Sequence, residues 1–176
     1  MDTPPCPVVV AQHTRAEAGL APPRRRAALH RPEGVVFHCS AGRQPVDARD
    51  SAKALRIMQA WHFHLGWADV GYSWAFDDLG HVWELRGWGR KGSHTKADPD
   101  GRGSLNGRAH GFVYLGNGLR PTAAALEAGA WLVAESERQY GPGFVIGHRE
   151  VSAKPCPGDG VFTGLVLPLG RPLVAR

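Results

Sequence analysis

At 176 residues the chain has the size of a single domain built around one core, and no apolar run approaches the ~20 residues that a membrane-spanning helix needs. A net charge of +5 favours polyanionic partners, yet the basic residues form neither a basic helix nor an aromatic RNA-binding motif, so nucleic acid is not an expected partner. Cys6, Cys39 and Cys156 are too few for a disulfide framework, and an odd, sparse set fits a reducing compartment or one thiol committed to a metal. Residues 1–34, rich in proline and arginine with one short apolar run from Val8 to Ala11, are expected to form an irregular arm packed on the core. The opening "MDTPPCPVVV" has neither the basic nor the apolar region of a secretory signal, and a soluble, unexported protein is expected.

"GVVFHC", followed by the turn-rich "SAGRQP", predicts a buried strand ending at His38 or Cys39. From Asp50 to Leu65, the residues Ala54, Leu55, Met58, Trp61, His62 and Leu65 recur at helical spacing, and Gly66 closes the element. "VGYSWAF" and "HVWELR" flank the turn tetrad "DDLG", which predicts a hairpin. The polar stretch from Gly87 to Gly107 is long for a connection in a small domain and is expected to wall a binding site. "HGFVYLG" predicts another strand, Thr122 caps a helix running to about Tyr140 with Leu126, Ala130 and Val133 on one face, and "GFVIGH" is a last short strand. The element order implies an α/β fold with a mixed central β-sheet and flanking helices.

Two predicted strands end in histidine, His38 and His148, and "HREVSAKPCPGD" places Cys156 eight residues beyond the second. Pro155 and Pro157 disfavour helix at the residues before them, so an extended loop is expected, with Lys154 and Cys156 projecting to one side. If the two strands are neighbours, their ends meet over one cleft. Two imidazoles and a thiolate suit zinc, and three protein ligands leave a position open for catalysis, whereas a structural zinc takes four. Spacing alone leaves equal room for ordinary core and loop residues. Cys39, next to His38, is expected on the opposite strand face, away from the metal.

"VVFHCSAG", "GWADVGYSWAF", "GSHTKA" with Asn106, and "GHREVSAKPCPGD" follow the order and spacing of zinc N-acetylmuramoyl-L-alanine amidases of the peptidoglycan recognition protein fold. The chain resembles their phage endolysin branch most, from about Gly34 to Asp159, with 35–159 as the catalytic core. "TRAEAGLAPPR" is similar to the amino-terminal segment of peptidoglycan recognition proteins, although Ala18 replaces a usual tryptophan. The resemblance implies one Zn2+ per chain held by His38, His148 and Cys156, catalytic roles for Tyr72 and Lys154, and substrate contacts at His94 and Asn106. Ser73, where relatives often have histidine, and Ala109, His110 and Gly111, in place of a Ser-Ile-Gly segment, put the groove's specificity in doubt.

Amide hydrolysis needs an activated water, a stabiliser for the tetrahedral oxyanion and a proton for the departing amine, and these residue types can supply all three. The expected activity is therefore cleavage of the amide between N-acetylmuramic acid and L-alanine in peptidoglycan, by a monomer without a membrane partner, held in the host bacterial cytoplasm until release to the wall. A tryptophan among Trp67, Trp83 and Trp88 could stack on a sugar ring. The alternatives are a non-catalytic peptidoglycan-binding protein of the same fold, a cysteine peptidase with Cys156 as nucleophile and His148 as base, and an amidase that recycles wall fragments.

Overall fold

The structure, a computed structural model, describes residues 10–173; Cys6 and the first residues of the Val8–Ala11 run lie outside the described residues. The runs rich in Val, Phe, Tyr and Trp pair into one six-stranded sheet. Its spatial order is β1 (Ala11–His13), β4 (His81–Glu84), β3 (Trp74–Phe76), β5 (Ala109–Tyr114), β2 (Gly34–Cys39) and β6 (Phe144–Gly147). β3, β5, β2 and β6 run parallel to one another, while β4 is antiparallel to β3 and β1 is parallel to β4. The fold is therefore mixed α/β. Residues 11–13, inside the segment expected to be irregular, supply an edge strand, because their backbone finds the open edge of β4.

β2 is covered on both faces, which is why it reads as an unbroken apolar run and not as an alternation. Val35 and Phe37 face a core with Phe76, Phe112, Tyr114, Leu132 and Leu165, beneath α2 (Ala123–Tyr140) and a helical stretch over 159–169. Val36 faces the other way, onto Leu105 and Ile146. α1 (Ala48–His64) covers that second face at β3, β4 and β5, through Leu55 against Ala75, Trp83, Val113 and Leu115. α2 begins and ends as predicted: Thr122 Oγ1 accepts from Ala125 N–H at 3.1 Å, and Gly141 follows Tyr140 with φ of 88°. Gly129 lies where α2 meets the 159–169 stretch, and a Cβ there would come within 2.5 Å of Leu165.

α1 departs from its expected register. Asp47 caps it by accepting from Asp50 N–H at 2.8 Å, so the helix starts at Ala48 and not at Asp50. Its buried stripe is Ser51, Ala52, Leu55, Gln59 and His62, while Trp61 and Leu65 of the predicted stripe face outward. Two polar side chains set this rotation because each finds buried partners. Ser51 Oγ donates to Asp77 Oδ2 at 2.6 Å, and the Gln59 amide donates to Asp69 Oδ1 and to the Ala21 carbonyl, each at 2.9 Å.

Asp77, fully buried in the β3–β4 turn, ties α1 to the hairpin. Besides Ser51 it accepts from Trp83 Nε1 at 2.9 Å and from the N–H groups of Leu79 and His81 at 3.0 and 3.1 Å. Asp77→Ala leaves those donors unpaired in the interior, and a loss of about 3 kcal/mol of unfolding free energy in urea titration is expected. A loss below about 0.5 kcal/mol would show that water replaces the carboxylate.

Candidate metal centre

β2 and β6 are adjacent and parallel, with Phe37 opposite Gly147, so the next residue of each strand lies at the same end of the sheet. Those residues are His38 and His148, whose ring centroids are 4.6 Å apart. The loop after His148 is not extended as the prolines suggested. It opens with a 3₁₀ turn, His148–Glu150, and closes on itself where Arg149 N–H donates to the Cys156 carbonyl at 2.7 Å. Glu150 Oε2 accepts from Gly147 N–H at 2.6 Å, and the Arg149 guanidinium donates to the Pro155 carbonyl at 2.6 Å and to Asp159 at 2.8 Å. These bonds outweigh the extended preference and carry Cys156 back to the strand ends. Lys154 is exposed on the loop, near enough for its charge to act on His38 and His148.

One donor atom each from His38, His148 and Cys156 falls within a mutual separation of 4.8 Å, and among the described residues no other group of three such side chains does so. His38 Nδ1 lies 3.7 Å from Cys156 Sγ. Tetrahedral Zn–N and Zn–S bonds of ~2.05 and ~2.3 Å require about 3.6 Å between the two donors. The set therefore fits a cation that accepts nitrogen and sulfur and keeps one position free.

The second nitrogen of His38 is also engaged. Nε2 lies 3.1 Å from His94 Nδ1 and 3.3 Å from Thr95 Oγ1, and His94 Nε2 lies 3.3 Å from the Ala109 carbonyl. A carbonyl only accepts, so His94 carries its proton on Nε2 and its Nδ1 accepts from His38 Nε2–H, which leaves His38 Nδ1 unprotonated toward the cysteine. Burial lowers His94 to about 3, consistent with this neutral form. His94 is 9% exposed and its ring packs between Gly92 and Gly111; a Cβ on either would come within 2.3 or 2.5 Å of it. Asn106 Oδ1 accepts from Thr95 N–H at 2.7 Å. Of the two residues expected to touch substrate, His94 thus braces the His38 imidazole and Asn106 holds the backbone of Thr95. Neither Gly92 nor Thr95 was singled out from sequence, although both stand in "GSHT", and Gly111 was named only beside a departure from the family pattern.

Tyr72 is half-buried with its ring centroid 5.1 Å from that of His38. Desolvation, followed by the Cys156 and Cys39 thiols, raises its hydroxyl well above the ordinary phenol range, so it remains a proton donor. Burial, then His94, His148 and Lys154, holds His38 neutral, and burial followed by Lys154 lowers His148. Cys39 needs correction. It shares a face with Val35 and Phe37, as alternation requires, but Cys156 crosses the end of β2. Cys39 N–H donates to Cys156 Sγ at 3.4 Å, and contact with the Cys39 thiol, with burial, pushes the Cys156 thiol up. A cation held beside the sulfur would favour its thiolate.

Residues 28–159 match the family described as N-acetylmuramoyl-L-alanine amidase. The chain belongs to that family. It is 33% identical over 168 residues to the human N-acetylmuramoyl-L-alanine amidase, an alignment that covers 89% of this chain and 27% of the human protein. It is 32% identical over 134 residues to peptidoglycan-recognition protein SC2 of Drosophila simulans, covering 73% of this chain and 69% of that one. Among solved structures, Drosophila PGRP-LB superposes with a TM-score of 0.80 at 25% identity, over 90% of this chain and 94% of that one. This amidase-family chain thus spans about a quarter of the human relative and most of the insect ones.

Loss of the brace behind His38 has a measurable consequence. If His38, His148 and Cys156 hold zinc, His94→Ala is expected to weaken its binding by about 10–100-fold in competition with a chromophoric chelator, at nearly unchanged helix content. Wild-type affinity in that variant would show that the imidazole orients nothing.

Proposed function

We propose that the chain is a zinc-dependent hydrolase that cleaves the amide joining the lactyl group of N-acetylmuramic acid to L-alanine in peptidoglycan. The observation that carries this reading is the convergence of His38, His148 and Cys156 beside Tyr72. These three side chains would hold the ion, which when bound supplies Lewis acidity and a water whose pKa falls to about 7. His94 and Thr95 keep His38 in the tautomer that presents Nδ1 to the ion. Tyr72, protonated and half-buried, donates to the substrate oxygen as it gains negative charge, and Lys154 adds a positive charge at the open edge. Proton return to the departing L-alanine nitrogen falls to groups at this rim.

Membership of the amidase family supports hydrolysis, and solved relatives support the substrate class: one neighbour, at 25% identity, is a PGRP-LB variant with a tyrosine changed to phenylalanine, in complex with tracheal cytotoxin. Motif resemblance and the net charge of +5 further support a phage or prophage endolysin that acts as a monomer on the acidic wall after release from the host cytoplasm. The similarity to recognition proteins favours a second reading, binding without cleavage. Mass spectrometry of digested sacculi decides between them. New L-alanine amino termini on intact glycan strands, abolished by a chelator and restored by zinc, are expected; shortened glycans, cuts within the peptide, or bound zinc with no release would each defeat the amidase reading. Activity that survives chelation would point instead to Cys156 as a nucleophile.

A further inference from the structure

The outer face of α1 carries apolar side chains that the core leaves uncovered. Ile57 and Trp61, one turn apart, are 60% and 59% exposed, and Leu65 continues the row at the helix end. A scattered exposed leucine needs no reason, but a tryptophan beside an isoleucine on the wall of a groove does. The groove has a volume of about 630 Å³. α1 forms one side, Ser40, Gly42 and Arg43 from the loop after β2 border it, and Tyr72 lines it as well. Tyr72 is common to the groove and to the metal centre, its ring centroid lying 5.1 Å from that of His38. The His64 ring stacks on Trp61 at 5.6 Å between centroids and helps to fix the indole.

We propose that Trp61, with Ile57 beside it, is a saccharide platform on which the apolar C–H face of a pyranose of the glycan strand rests while its lactyl amide lies at the metal centre. This rests on the reaction proposed above. The substrate offers the groove two chemistries, uncharged sugar rings and a stem peptide bearing carboxylates. Of the two cations that line the groove, Arg43 is bonded to Asp50, so the wall keeps one net positive charge, on Lys53. With so little net charge, the flat aromatic and aliphatic surface of Trp61 and Ile57 matches a ring face better than a polyanionic peptide. The tryptophans expected from sequence to stack on sugar are less exposed than Trp61. Trp83 is buried, Trp67 stacks on His62 at 4.5 Å, and Trp88 packs on Trp74 at 4.9 Å.

The test uses the zinc-loaded full chain, with peptide-free glycan strands and released stem peptides as separate probes. Trp61→Ala is expected to raise KM on sacculi by about tenfold while kcat holds, and Trp61→Phe to recover most of that loss. In a ¹⁵N spectrum, the indole signal that Trp61→Ala deletes is expected to move with glycan strands and to stay fixed with stem peptides. The platform is overturned by an unchanged KM, by movement with stem peptides only, or by a self-association that Trp61→Ala abolishes with KM unaltered. New L-alanine termini with an unmoved indole would sink the platform alone, and a moved indole without new termini would sink the reaction alone.

Discussion

Cys156→Ala is expected to strip the protein of zinc and to lower hydrolysis of sacculi by at least about 10³-fold. Cys156 supplies the sulfur 3.7 Å from His38 Nδ1, and its loss leaves two imidazoles, too few to hold the ion at catalytic concentrations. Several kcal/mol of charge stabilisation leave with the metal, and each ~1.36 kcal/mol is a factor of ten in rate. Two readouts make the result specific. Metal analysis of the purified variant should give well under one equivalent, and added zinc should restore little activity. The fold should survive, because Cys156 is only half-buried and its carbonyl, which closes the loop onto Arg149 N–H, is untouched by the substitution. Activity within a few-fold of wild type would remove Cys156 from the ligand set and with it the whole reading of the centre.

Tyr72→Phe separates the metal from the chemistry. The ring stays beside His38 and only the hydroxyl is lost, so zinc content is expected to match wild type. If the hydroxyl donates to the oxygen that becomes negative in the transition state, kcat falls by about 10²–10³-fold with KM nearly constant. A rise in KM at constant kcat would instead make Tyr72 a uniform binding contact.

The sequence carried the parts of the centre that depend on short-range order. His38 and His148 end parallel neighbouring strands because "GVVFHC" and "GFVIGH" are short buried runs closed by turns, and such runs are readable without coordinates. The hairpin and the Thr122 cap were equally readable, since local turn and capping chemistry decides them. The register of α1 was not. Periodicity counts apolar residues, whereas its orientation is set by Ser51 and Gln59 bonding to Asp77 and Asp69, residues that approach only after the chain has folded. The same blindness placed Trp61 inside and left the groove wall unseen. The support of His38 by His94 and Thr95, and the closing of the 148–156 loop by Arg149 and Glu150, likewise depend on long-range contacts.

β2 lies between β5 and β6, both of which leave the ribosome after it. A growing chain that has emerged only as far as α2 holds one imidazole of the three donors and lacks the strand that delivers the second. At roughly 5–20 residues per second, on the order of ten seconds separate the synthesis of His38 from that of Cys156. Any product cut short before position 156 is missing a donor and the carbonyl that closes its loop onto Arg149. Under the proposed reaction, a fragment that ends before Cys156 would be inactive, so activity would arrive only with the last of the three donors.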